Sequence, residues 1–133
     1  MLRILKIAAL IGFSGGNAIA QGAEIQTTID RQIEAFQADD FELAFEFASP
    51  NLRRLFGSSE NFRSMVTGGY PMVWRPSEVR YLELSQIEGS YWQKVLIKDL
   101  DGAVHILAYR MLMTELGWKI NGVQLLPTPN VGA

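Results

Sequence analysis

The chain has 133 residues, 48% of them hydrophobic and 20% charged, with a formal net charge of −2, no cysteine and one histidine. That length holds one domain, or one domain plus a targeting segment, and leaves no room for a two-domain cofactor enzyme. The missing cysteines exclude disulfides, thiol nucleophiles and zinc-thiolate sites, the lone histidine excludes a multi-His metal site within one chain, and the weak acidic balance gives no footprint for nucleic acid.

Residues 1–20 read as a secretory signal. Arg3 and Lys6 form a positive start, Ile7 to Phe13 a short apolar core, and Ala18-Ile19-Ala20 a small-x-small cleavage pattern. Gly15, Gly16 and Asn17 interrupt the apolar run before it reaches the length of a spanning helix, so no stable membrane span is expected after cleavage. Export to a bacterial periplasm or to the medium is the expected address. Arg3 and Lys6 are the only charges in this segment, so for residues 21–133 the 12 Lys and Arg fall to 10 against 14 Asp and Glu. This remaining stretch is expected to form a single domain at net −4.

Helical signals come first. Ile25, Ile29, Ile33 and Phe36 recur at spacings of 4, 4 and 3, one face of a helix from Glu24 to Gln37. Asp39 and Asp40 interrupt, and either can cap a second helix through the apolar run from Phe41 to Ala48. Ser49-Pro50 ends that helix, and Pro50 starts a short one that Gly57 stops. Ser58 or Ser59 caps a third long helix, with Phe62, Met65 and Val66 as its stripe and Gly68-Gly69 as its end. Two prolines then make residues 69–76 an ordered crossover outside regular structure.

After Pro76 the pattern changes to strands. Val79–Ile87, Tyr91–Lys98, Val104–Met113 and Trp118–Leu126 are rich in β-branched and aromatic residues, and short Gly-containing separators join them. Four such strands make an antiparallel meander, with Gly122 marking a bulge in the last one. Pro127 and Pro129 end the sheet, and a loose tail follows. Helices first and an antiparallel sheet after them define an α+β fold. In the third strand Val104, Ile106, Ala108, Arg110 and Leu112 share one face, and His105, Leu107, Tyr109, Met111 and Met113 the other. Apolar residues on both faces call for two covers, so a homodimer is one expectation beside a sheet with scattered exposed apolar residues.

The order of elements resembles the nuclear-transport-factor-2-like, or cystatin-like, cone. Within it, Gln32 to Phe36, Asp39-Asp40, Ala44 to Pro50, Phe56-Gly57, Phe62 to Val66 and Gly69-Tyr70 through Arg75-Pro76 resemble the DUF4864 family, as do Asp99, Asp101-Gly102 and Gly117 to Ile120. The resemblance implies a strongly bent sheet, a conical pocket and no assigned activity. Related folds carry isomerases, dehydratases, hydrolases and non-catalytic modules, so function must be argued from the site.

Three readings follow. The first is a non-catalytic module that binds a small apolar or acidic ligand, or a protein, through the pocket or the outer sheet face. Tyr70, Trp74 and Arg75 in the Pro-braced connector are its ligand-binding candidates, with Trp118 beside them. The second is a cofactor-free isomerase, lyase or hydrolase with His105, Asp39, Asp40 and Tyr109 as acid–base candidates. The third is a structural homodimer subunit of an envelope complex. No phosphate loop, GxGxxG, GxSxG or HExxH is present, and neither a metal nor a cofactor is expected.

Overall fold

A computed structural model describes residues 2–128, with side chains from Ile19 to Thr128. The side chains of the expected signal core and the expected tail from Pro129 onward lie outside the described residues. Helix α1 spans Leu2–Gln37 and is longer than the apolar spacing predicts. No proline stands between Gln21 and Glu24, and Ala23 favours helix, so nothing breaks the backbone before the stripe begins. Among the described residues, no helix is long and apolar enough to cross a membrane.

Two caps read from the sequence, at Asp40 and Ser58, recur in the structure, and Ser49 adds a third. Asp40 accepts from the Leu43 N–H and starts α2, Phe41–Glu46. Ser49 accepts from the Leu52 N–H and starts α3, Pro50–Phe56, which Gly57 ends with a positive φ of 82°. Ser58 accepts from the Asn61 N–H and starts α4, Ser59–Gly69. Helix α2 stops earlier than Ala48 because its next residues bond to the sheet. The Ile120 N–H donates to Phe47, and the Ser49 N–H donates to Ile120.

The crossover, expected from its prolines to lie outside regular structure, holds one helical turn. Helix α5 covers Pro71–Trp74, with Pro71 at its first position, where a missing N–H costs no bond.

Strands β1 (Glu78–Ile87), β2 (Ser90–Lys98), β3 (Val104–Thr114) and β4 (Gly117–Leu126) form one antiparallel sheet in the order β1-β2-β3-β4. The fold is therefore α+β, helices followed by a four-strand meander. Glu88 and Gly89 both take positive φ in the two-residue turn between β1 and β2, the conformation that suits strand twist. The register slips twice, in β1 between Tyr81 and Leu84 and in β4 at Asn121, next to Gly122.

The helices cover one sheet face. Ile25, Ile29, Ile33 and Phe36 are buried on α1, as their spacing predicts, against Val95, Ile97, Leu107, Tyr109, Met111 and Ile120 of the sheet. Each such aliphatic side chain contributes about 1.5–3 kcal/mol through burial. Tyr91 and Trp92 point to opposite faces. Tyr91 meets Trp118 edge-on inside, at 5.4 Å between centroids, while Trp92 lies outside under Arg110.

Candidate functional site

The helical layer does not close fully on the sheet. A cavity of about 280 Å³ remains between the inner face of β3 and β4 and helices α1, α3 and α4. Phe36 and Phe62 form its floor, with ring centroids 5.8 Å apart. Tyr109 and Ile120 form the sheet wall, and Leu52, Phe56, Met65, Tyr70 and Val123 surround the half-buried mouth.

Local chemistry keeps this space open. Helix α3 buries none of its residues completely, so it covers the cavity without filling it. Ser49 donates to Asn121 at 2.7 Å, which ties the start of α3 to the β4 bulge. Beside that bulge stands Gly122, where an added Cβ would meet nothing within 4 Å.

Three polar groups face this apolar surround. Gln32 is 4% exposed and donates from Nε2 to the Ala44 carbonyl at 3.1 Å. Its Oε1 accepts no hydrogen bond among the described residues. Tyr70 donates to the Val123 carbonyl at 3.3 Å. The Tyr109 side chain is 1% exposed and finds no hydrogen-bond partner among the described residues. Burial first, then the neighbouring Tyr70, hold its phenol well above the usual tyrosine range. Burial thus favours the neutral phenol, whose O–H can donate.

The acid–base and ligand candidates read from the sequence fall in three other places. Asp39, at φ 58°, receives Trp74 Nε1–H at 2.8 Å and the Arg75 guanidinium at 2.9 and 3.2 Å. The Trp74 bond and then the Arg75 bond hold its carboxyl below the usual range. Arg75 also donates to the Phe36, Gln37 and Trp74 carbonyls and lies 4.4 Å over the Trp74 ring. The guanidinium therefore closes the C-terminus of α1, with its side chain 37% exposed. Asp40 is the α2 cap.

His105 pairs with Asp99 rather than with Asp39 or Asp40. Nε2 lies 2.8 Å from Asp99 Oδ2, while Oδ1 accepts the Asp101 and Ala103 N–H groups of the β2–β3 turn. The His105 bond is the main reason that the Asp99 carboxyl lies below the usual range. Neither residue lines the cavity. Trp118 is 7% exposed under Tyr91, beside a shallow groove along α1. Its Nε1 is buried without a partner. Of the residues singled out from sequence, Tyr70 and Tyr109 meet at the cavity, and Asp39, Trp74 and Arg75 meet at the α1–α2 corner.

Sequence reasoning missed Gln32 as a site residue. Its signal was there: it stands three after Ile29 and four before Phe36, inside the apolar stripe. Among the described residues no three His, Asp or Glu side chains gather to hold a metal ion.

A helical layer on an antiparallel meander, hollow on its inner side, is the class of protein that the fold and the cavity define. The family described as a domain of unknown function, DUF4864, matches residues 18–133, and the chain belongs to that family. No curated protein and no solved structure matches the chain.

Proposed function

We propose that this chain is a non-catalytic module that binds a small, mainly apolar ligand in the cavity between α1, α3, α4 and the sheet. One observation carries the reading: about 280 Å³ of aromatic-lined space with unspent hydrogen-bonding capacity inside it. Protein interiors normally close to crystal-like density, and an open apolar pocket with a few convergent polar groups is the usual form of a ligand site. Among the described residues no carboxylate and no imidazole lines this space, which disfavours the acid–base alternative. The signal-like pattern of residues 1–20 supports an exported protein, and the order of elements supports a nuclear-transport-factor-2-like cone.

Octanol is a suitable probe. Added to the full chain, it is expected to shift the Gln32 side-chain amide and the Tyr109 backbone amide in proton–nitrogen NMR. Native mass spectrometry of gently purified protein is expected to show a species heavier than the bare chain. A bare mass together with no octanol-induced shift at those two residues contradicts the reading.

The outer sheet face favours a second reading, a homodimer subunit. Ile87, Val104 and Leu112 on that face are 55%, 39% and 37% exposed. Light scattering over a concentration series tests it: a doubling of mass is expected, and a monomer at every concentration counts against it.

A further inference from the structure

We infer that the cavity takes a neutral ligand: an apolar body carrying one hydroxyl-like group that both donates and accepts. This rests on the cavity being the binding site. Among the described residues lining it there is no Arg, Lys, His, Asp or Glu. The guanidinium best placed by sequence, Arg75, is held by Asp39 and by the end of α1. The nearby Arg53 and Arg63 lie over the rings of Phe45 and Phe41 rather than in the opening. An ionised carboxylate or ammonium would enter apolar surroundings without a counter-charge, which is far more costly than burying a hydroxyl that finds partners.

The partners on offer are complementary. Tyr109 supplies an O–H donor that burial keeps protonated, and Gln32 supplies an amide carbonyl as acceptor. A hydroxyl uses both, giving one bond and receiving one. A carboxylate satisfies only the donor and leaves the Gln32 oxygen facing a negative charge. The surrounding Phe36, Phe56 and Phe62 rings take the apolar body.

Octanol and octanoic acid share a chain and differ in the head group. The full chain is titrated with each between about pH 5 and pH 8, following cavity resonances by NMR. Octanol affinity is expected to stay flat. Octanoic acid is expected to bind in its protonated form, so its affinity falls about tenfold per pH unit above its own pKa. Tyr109→Phe is expected to weaken octanol about fivefold without altering the fold. Octanoate affinity equal to that of octanol and independent of pH overturns this inference while leaving the cavity as the site. If neither probe moves the cavity resonances, the binding reading itself falls and the inference with it.

Discussion

At the corner between α1 and α2, Asp39 accepts from both Trp74 and Arg75, whereas in the cavity the Gln32 carbonyl and the Tyr109 hydroxyl bond to no described group. The corner is charged and half exposed, and its donors are spent on its own backbone and carboxylate. The cavity is neutral and buried, and part of its hydrogen-bonding capacity is unused. By residue type the corner is the more conspicuous binding site. By geometry the cavity is, because a group already paired must lose one partner to gain another.

Filling the cavity should break this comparison most severely. Ala48 and Val66 are 1% and 2% exposed and both line the space. Ala48→Leu combined with Val66→Phe is expected to abolish octanol binding, by about thirtyfold or more, with thermal stability kept or raised. Retained binding in that variant would place the probe elsewhere. Arg75→Ala should do the reverse. It removes the guanidinium from three carbonyls and is expected to cost about 1–2 kcal/mol in urea unfolding. Octanol affinity should stay within about twofold. A large loss of binding with little loss of stability would make the corner the site.

Acid should attack the corner and the β2–β3 turn, and spare the cavity. The Asp39 and Asp99 carboxyls both lie below their ordinary 3.8 in the folded chain. Their contribution is therefore fully present above about pH 4 and is lost as pH falls through the folded values. Thermal unfolding followed by circular dichroism from neutral to acidic pH should reveal that loss. Asp39→Asn and Asp99→Asn should each flatten the acid limb, and an unchanged limb in both would remove this account of the two carboxyls. The smallest expected stability effect belongs to Tyr109→Phe. The hydroxyl has no partner to lose, so unfolding in urea should change by less than about 0.5 kcal/mol, unlike a structural tyrosine.

Much of the scaffold was legible because its causes are local. The Ile25, Ile29, Ile33 and Phe36 stripe, the caps at Asp40 and Ser58, the Pro50 start and Gly57 stop of α3, and the Glu88-Gly89 turn each act within a few residues. The α5 turn was hidden by its prolines, although Pro71 begins it rather than breaking it. The grip of Arg75 on Asp39 joins residues 36 apart and depends on how α5 docks, so no spacing announces it. The partner of His105 lies only six residues away, across a turn whose own N–H groups fix the Asp99 carboxylate. The cavity is the least legible feature, because it is a shortfall of volume shared among α1, α3, α4, β3 and β4. Gln32 was its one local trace, a polar residue inside an apolar stripe.

Intermolecular nuclear Overhauser effects between octanol and the full chain test the central claim most directly. Contacts from the octanol methylenes to the Met65 and Val123 methyls, which flank the mouth, are the predicted result. Contacts confined to Trp92 and Leu126 of the outer sheet face would contradict it.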